Sequence, residues 1–373
     1  MSEPLSGIPS GMRYYFGQEA RLRRTIEETA MSIFGGWSYE EITTPLVDYY
    51  SLFEHGMGQT EAQRSFRFTD NDGRLLALRP DVTSAAARAA ATLLAERERP
   101  LRLCYAGPVF RQQPQSHAEW RRESTQIGCE LIGANSDLAD LEVLAIAAEF
   151  LDRLDLGGSY SITLNDVRIF NGVAERLSLD ASSREQMRQL IDIRNAEDLE
   201  RFLKPYTSAE EGRAFAQLSQ LSGKRETLAW ARRVFANGQS RAAVDRLEAV
   251  WGVIESLGLT DHFEIDLGDV SRLDYYTGVT FKIYVKGAGA RVGSGGRYDG
   301  LTASFGKAEP AVGFVVDLDA LTDVLRRRLE VIPAIGEPAL KASQLKDNCV
   351  STLFREAIDR RARGERVFLN LVR

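Results

Sequence analysis

The sequence has few of the residues that build disulfide frameworks and metal centres. Its 373 residues include three cysteines (Cys104, Cys129 and Cys349) and three histidines. No two cysteines have the CxxC spacing and the histidines lie far apart, so neither a secreted disulfide scaffold nor a zinc site is indicated. We therefore expect a cytoplasmic protein that holds no metal and no cofactor.

Long hydrophobic runs are also missing. No stretch approaches about 18 consecutive apolar residues, the length that spans a bilayer. Residues 1–17 lack the basic region and the apolar core of a secretory signal. The sequence therefore predicts no association with a membrane.

An excess of basic residues is missing as well. The chain has 47 Lys and Arg residues against 53 Asp and Glu residues, which gives a formal net charge of −6. Proteins whose main work is to bind a phosphate backbone usually present a basic surface. Charge can be segregated by face, but this composition argues against nucleic acid as a partner.

Short strands and helices make up the first part of the chain. Apolar residues at helical spacing predict a helix over 17–34, which a Gly-Gly pair ends. Residues 66–68 and 76–78 alternate around an Asn-Asp-Gly turn, as a hairpin does. Two further strands, Leu101–Arg111 and Glu123–Leu131, follow. This succession predicts an α+β fold with an antiparallel sheet flanked by helices.

The middle of the chain is helical and charged, and strand patterns return after it. Residues 263–267 and 279–285 have the alternation of strands. In the first part of the chain, an alanine-rich helix follows Pro80, and Asp81 is a plausible N-cap for it. The predicted domains are a core over 1–166 and 259–330, a helical insert over 167–258 and a short C-terminal tail over 331–373.

One predicted strand carries a polar face that could bind a ligand. The two-residue period places Ser124, Gln126, Gly128 and Glu130 together, while the opposite face is apolar and belongs to the core. A small ligand could lie in the gap at Gly128, between an amide and a carboxylate. An ordinary solvent-facing strand surface explains the same pattern equally well.

Two glycine-containing segments follow the helical region. They are Leu273–Gly278 and Ser294–Gly300, and neither has the spacing of a P-loop or of a dinucleotide-binding fingerprint. Glycine lets the backbone approach a ligand closely, but it also simply makes turns. Considered alone, the second segment is better interpreted as a turn.

In order along the chain, these segments resemble the motifs of histidyl-tRNA synthetases. The resemblance covers about residues 5–330 and implies the antiparallel fold of class II aminoacyl-tRNA synthetases. Pro45 falls where the family's first motif has its dimer-interface proline. The other matches are Leu78–Thr83 (the family's Leu-Arg-Pro-Glu-Gly-Thr), Val109–Arg111 with Gln126–Glu130 (its second motif and the next strand), and the histidine-specific signatures Leu273–Gly278 and Gly295–Leu301.

The resemblance implies a pocket for L-histidine. A zwitterionic amino acid needs an anionic and a cationic partner, and an imidazole N–H needs an acceptor. Each residue also has an ordinary interpretation, such as helix capping, a surface ion pair or packing. One residue departs from the family, because Asp81 is a methylene shorter than the family's glutamate. The family's contacts assign the ammonium to Asp81 and Thr83, the carboxylate to Arg111 and Gln126, and the imidazole to Glu130 and Tyr276, with Tyr275 nearby.

The groups that would activate ATP depart from the family's pattern. Gln113 stands where the family has a glutamate on the adenine amine, and Ala320 and Ser271 stand where it has arginines. Asp317 replaces a glycine and adds negative charge where a triphosphate would lie. Because adenylate formation depends on positioning and charge neutralisation, the resemblance implies that aminoacylation is lost.

This pattern is similar to a non-catalytic branch of the family, the regulatory subunits of ATP phosphoribosyltransferase. That similarity implies a chain required by a short ATP phosphoribosyltransferase catalytic subunit, with L-histidine as the feedback effector of histidine biosynthesis. It also implies a homodimer within a hetero-oligomer. Two alternatives stay open: an active or tRNA-binding synthetase-like enzyme, and a histidine-binding paralogue with an unrelated partner.

Overall fold

The structure of the protein is a computed structural model. It describes residues 6–113, 120–235, 238–270, 275–328 and 350–367. The chain divides into a large unit that ends at Arg327 and a small unit that begins at Arg328.

The helices are concentrated in the middle of the chain. Ser136 caps the helix Asp137–Arg153, because its Oγ accepts a hydrogen bond from Leu138 N at 3.2 Å. None of the helices that the structure describes is long and apolar enough to cross a membrane. The helices are α1 (Gly17–Gly36), α2 (Tyr50–Met57), α3 (Gln59–Ala62), α4 (Thr83–Ala91), α5 (Asp137–Arg153), α6 (Val167–Arg176), α7 (Ala181–Asp192), α8 (Ala196–Leu203), α9 (Ala209–Leu218), α10 (Arg225–Val234), α11 (Gly238–Ser256), α12 (Leu318–Arg328) and α13 (Val350–Ala362), with 3₁₀ turns at Thr260–His262 and Thr302–Phe305.

The strands form two sheets. They are β1 (Glu40–Glu41), β2 (Val47–Tyr49), β3 (Arg67–Thr69), β4 (Leu75–Leu78), β5 (Leu101–Phe110), β6 (Glu123–Ile132), β7 (Tyr160–Asp166), β8 (Ser222–Gly223), β9 (Phe263–Asp266), β10 (Val279–Val285), β11 (Gly293–Arg297) and β12 (Ala311–Asp317). The large sheet has the order β1-β5-β6-β12-β11-β10-β7-β9-β8, and the small one β2-β4-β3. All pairs are antiparallel except β1 with β5 and β7 with β9, so the predicted α+β class is confirmed.

A single large hydrophobic core joins the sheet to the helices around it. Ile127 and Cys129, on the apolar face of β6, belong to this core, as predicted from their alternation. Leu247 and Trp251 of α11 pack in the same core, beside Ile162 of β7. The described residues between 167 and 258 are mainly helical, with one short strand, β8, among them. The boundaries of core, insert and tail stay a prediction.

Two local predictions are wrong. Helix α4 begins at Thr83 with Val82 as its N-cap residue, so Asp81 is not the cap. The glycine-rich segment before Tyr298 is not a turn, because Gly293–Arg297 forms a central strand between β10 and β12. A Cβ on Gly295 would lie 2.5 Å from the Phe281 ring, so glycine there lets neighbouring aromatic side chains pack across the strand.

The C-terminal tail is described in part. The predicted helix over Cys349–Arg363 corresponds to α13. The predicted strand over Arg366–Leu371 lies largely outside the described residues, which end at 367.

Candidate functional site

A cavity of about 330 Å³ opens on the large sheet, and every residue that the sequence assigned to a ligand lines it. This volume is within the range of small-molecule sites. Strand β6 contributes two of these side chains, and two more come from the residues at the start of α4. One side chain lies just after β5, and the remaining two lie in the segment before β10. They are Asp81, Thr83, Arg111, Gln126, Glu130, Tyr275 and Tyr276.

The polar face of β6 points into this cavity and not into solvent. Gln126 is 8% exposed and Glu130 is 1% exposed. The gap at Gly128, however, does not hold a ligand. A Cβ there would lie 2.9 Å from the Tyr105 hydroxyl and 2.9 Å from Val315 Cγ1. The Phe314 carbonyl and the neighbouring side chains fill the space that the sequence suggested for the ligand, and Gly128 does not line the cavity.

Glu130 lies at the bottom of the cavity, in a network of buried hydroxyl groups. Tyr105 donates to Glu130 Oε1 at 2.8 Å, and Tyr298 donates to Oε2 at 2.5 Å. Thr83 Oγ1 lies 3.2 Å from the Tyr105 hydroxyl. Burial raises the pKa of Glu130 to about 7, although the hydrogen bonds from Tyr298, Tyr105 and Thr83 act in the opposite direction. These three donors leave about one of the four lone-pair sites of the carboxylate for a further donor.

Asp81 supplies a second buried carboxylate, and it is only partly hydrogen-bonded. Ser84 Oγ donates to Asp81 Oδ2 at 3.2 Å. Among the residues that the structure describes, Asp81 Oδ1 and Gln126 Oε1 are buried without a hydrogen-bond partner. Burial raises the pKa of Asp81 to about 6, while Arg111 and Arg79 lower it. Buried acceptors of this kind call for a donor, and a ligand ammonium can provide one.

Two adjacent tyrosines line the cavity at the start of the segment that leads into β10. The rings of Tyr275 and Tyr276 are 4.7 Å apart, and Tyr275 meets the ring of Tyr298 edge-on at 5.7 Å. Burial raises the pKa of Tyr276 to about 12, so its hydroxyl stays protonated at neutral pH. Tyr276 can therefore donate a hydrogen bond as well as accept one.

A second cavity of about 340 Å³ adjoins the first and shares Arg111, Gln126 and Ser294 with it. Ala320 and Asp317 line this cavity, which places two of the four departures from the synthetase pattern in one site. Ser271 lies outside the described residues. Burial, together with the charge of Asp319, raises the pKa of Asp317 to about 6. Several cations that the sequence analysis missed also line it: Arg64, Arg121, Arg291 and Arg327.

Two tyrosines of the site were also missed. Tyr298 lies in the second histidine-like signature, so its position in that motif was a usable signal. Tyr105 lies on β5, directly opposite Gly128 of β6, and only the pairing of the two strands places its hydroxyl against Glu130. No pattern in the sequence near Tyr105 indicates this contact.

The fold and the cavity define a protein of the histidyl-tRNA synthetase class. A family model described as histidyl-tRNA synthetase matches residues 11–321. In fold alone, the chain is similar to histidyl-tRNA synthetase from Nostoc sp. PCC 7120, with a TM-score of 0.79, 21% identity, and coverage of 100% of this chain and 87% of that one.

Comparison with curated relatives identifies the branch of this class to which the chain belongs. The chain is 37% identical over 329 residues (88% of this chain, 83% of the relative) to the ATP phosphoribosyltransferase regulatory subunit of Moorella thermoacetica. It is 34% identical over 331 residues (88% and 76%) to that of Syntrophotalea carbinolica. A crystal structure of an ATP phosphoribosyltransferase regulatory subunit/histidyl-tRNA synthetase from Bacillus halodurans superposes with a TM-score of 0.84 at 26% identity, covering 99% of this chain and 93% of that one. The chain belongs to the ATP phosphoribosyltransferase regulatory subunit family, which confirms the resemblance seen in the motifs.

Proposed function

We propose that this chain is a non-catalytic regulatory subunit that binds free L-histidine and controls a short ATP phosphoribosyltransferase catalytic subunit. The observation that carries the proposal is the cavity itself. It combines buried carboxylates, Asp81 and Glu130, with the cation of Arg111. Such a set matches the ammonium, the carboxylate and the ring N–H of a zwitterionic amino acid with an imidazole side chain.

The changes in the second cavity support a role without chemistry. Asp317 adds a buried carboxyl group there, and Ala320 cannot contact a phosphate as an arginine does. Neither change affects the wall that Glu130 and Tyr276 provide for the ring. A protein that keeps an amino-acid pocket but not the activation machinery is suited to sensing, with its effect exerted on a partner.

Calorimetry with L-histidine tests the ligand. We expect binding by the wild-type chain and a clear loss of affinity in Arg111→Ala, because the ligand carboxylate loses a charge-assisted partner, which contributes roughly 1.5–3 kcal/mol. Arg153→Ala is a matched control, since Arg153 is exposed and pairs with Glu149, at 3.2 Å, on the surface of α5. Equal affinity in all three proteins would contradict the proposed pocket.

Reconstitution tests the partner. Mixing the chain with a short catalytic subunit should give phosphoribosyl-ATP at a rate that neither protein reaches alone, and L-histidine should suppress that rate. Arg111→Ala should blunt the inhibition and leave activation intact, because activation depends on the interface between the proteins. We propose that the active assembly is a cytoplasmic hetero-oligomer that contains a homodimer of this chain. Full inhibition after removal of both Arg111 and Tyr276 would move the feedback site to the partner.

A second candidate function is supported by the cations of the second cavity. Arg64, Arg121 and Arg327 line it, and arginine suits phosphate binding. A synthetase-like enzyme would use them to bind ATP. Titration with ATP·Mg and an assay of histidine-dependent pyrophosphate exchange separate the two candidates. Tight ATP·Mg binding together with pyrophosphate exchange would favour the enzyme. The absence of both would favour the regulatory subunit.

A further inference from the structure

Arg79 lies behind the wall of the first cavity, where its buried guanidinium ties together chain segments that carry the ligand-binding charges. Arg79 is 4% exposed. Its Nη1 donates to the carbonyl oxygen of Thr44 at 2.7 Å and to Thr44 Oγ1 at 2.9 Å. Its Nε donates to the carbonyl oxygen of Pro108 at 2.8 Å. One side chain thus joins the segment before β2 to the end of β5.

The backbone of Arg79 forms two further hydrogen bonds between the same segments. Arg79 N donates to Leu46 O at 2.9 Å, and Phe110 N donates to Arg79 O at 2.9 Å. Asp81 follows Arg79 by two residues, and Arg111 directly follows Phe110. The position of the cavity's anion relative to its cation therefore depends on the contacts of Arg79.

The sheet has space for this guanidinium only because a glycine lies beneath it. A Cβ on Gly107 would lie 2.2 Å from Arg79 Nη2. Gly107 belongs to β5, where glycine is a poor strand former. A glycine in this strand is therefore explained by the close approach of the buried side chain.

A buried charge is unusual in a residue that only joins segments of the chain. Among the residues that the structure describes, its side-chain hydrogen bonds go to Thr44 and to the Pro108 carbonyl and none to a carboxylate, and burial lowers the pKa of its guanidinium. A buried cation without such a partner is costly. The charge does, however, lower the pKa of Asp81 and so favours its ionised form.

We propose that Arg79 is a positioning residue of the amino-acid site, which holds Asp81 at a fixed distance from Arg111 so that Asp81 can receive the ligand ammonium. This inference rests on the proposed histidine site. Arg79 does not line the cavity, so it acts through the two residues and not through contact with the ligand.

Other groups around Asp81 also affect the ionisation of its carboxyl group. Ser84 of α4 donates to Asp81, and the cation of Arg111 lowers its pKa. The carboxyl group of Glu130 and the hydroxyl groups of Tyr105 and Tyr275 are near enough to interact with its charge. None of these groups is replaced in the experiment below, so a shift in the pH dependence reports the change at Arg79.

The experiment compares the affinity for L-histidine between pH 5 and pH 8 in the full-length wild-type chain, Arg79→Lys and Gly107→Ala. Lysine keeps the charge but cannot donate to Thr44 and Pro108 together, and the alanine Cβ displaces the guanidinium. We expect an affinity about tenfold lower in both variants, because Asp81 is no longer held at its distance from Arg111. The acidic limb of the profile should rise in Gly107→Ala, where the cation is displaced, and not in Arg79→Lys, which keeps the charge. Arg99→Lys is the control, since Arg99 is a partly buried arginine that donates to the carbonyl oxygens of Leu94 (2.9 Å) and Arg97 (2.6 Å) and to the carboxylate of Glu309, and it does not line the cavity.

The outcomes separate this inference from the proposed function. If the wild-type chain binds no L-histidine, the proposed site fails and this inference fails with it. If it binds, but both variants lose thermal stability as Arg99→Lys does and keep the wild-type affinity, Arg79 is structural only. Should Arg79→Lys not fold, Thr44→Val removes a single acceptor from the guanidinium, and an unchanged affinity in that variant would overturn the inference.

Discussion

Replacement of Glu130 by glutamine tests the ring-binding end of the cavity most directly. The side chain keeps its length, so the cavity keeps its shape, but the carboxylate becomes a neutral amide. Glu130 is 1% exposed and accepts hydrogen bonds from Tyr105 and Tyr298. In the variant, only the amide oxygen can accept, so a ring N–H of the ligand competes with two hydroxyl groups for it.

The expected loss of affinity follows from the charge. A hydrogen bond to a charged acceptor contributes roughly 1.5–3 kcal/mol, which corresponds to about 10-fold to 150-fold in the dissociation constant. The pKa of Glu130 is about 7. Its ionised fraction therefore rises from about 0.1 at pH 6 to about 0.9 at pH 8, which alone should strengthen wild-type binding about tenfold. The glutamine variant lacks this dependence.

The same ionisation affects stability, with a sign that the structure determines. The folded state holds the Glu130 proton more tightly than the unfolded state, whose pKa is near 4.5. The free energy of unfolding should therefore fall as pH rises from about 4.5 to about 7, by an amount on the order of 3 kcal/mol. Glutamine removes this fall, so the variant should gain stability relative to the wild type as pH rises through this range.

Titration calorimetry and chemical denaturation at pH 5, 6, 7 and 8 measure both effects. Asp152→Asn is the control, because Asp152 also accepts from a tyrosine, Tyr160, at 3.0 Å but lies away from the cavity. The reasoning would be refuted by a variant that binds L-histidine with wild-type affinity and pH dependence while its stability drops at every pH. Glu130 would then be a structural group only.

Three further predictions concern the same cavities. Gly313→Ala should abolish L-histidine binding, because its Cβ would lie 1.8 Å from Glu130 Oε2, whereas Gly300→Ala, which meets nothing within 4 Å, should bind normally in calorimetry. Tyr105→Phe removes a hydrogen bond that lowers the pKa of Glu130, so the pH midpoint of binding should rise, and an unchanged midpoint would argue against the network. The wild-type chain should show no calorimetric signal with ATP·Mg and no pyrophosphate exchange.

Much of the fold was predictable because it depends on local patterns. The alternation in 123–131 identified β6 and its core face, and helical spacing identified α1. The residues that line the first cavity were predicted because they occur in ordered motifs that the family shares. In each case the signal lies within a few neighbouring residues, where sequence reasoning is strongest.

What could not be predicted depends on strand pairing. The space beside Gly128 is filled by Tyr105 from the neighbouring strand, and a period-two pattern carries no information about that partner. The central position of β11 was hidden for the same reason, because its glycines satisfy the packing of adjacent strands and not a local turn. The arginines of the second cavity come from separate segments, which only the tertiary fold brings together.

The arrangement of the cavity also indicates how a ligand could exert control. The sheet supplies Gln126 and Glu130, the segment before β10 supplies Tyr275 and Tyr276, and α7 contributes Asp192 to the same wall. A ligand can shift a conformational equilibrium only by the difference between its affinities for the two states. A ligand that contacts the sheet and the other two elements at once would bind most tightly in the state that brings them close together. A tenfold preference for that state makes about 1.4 kcal/mol available to change the partner's activity.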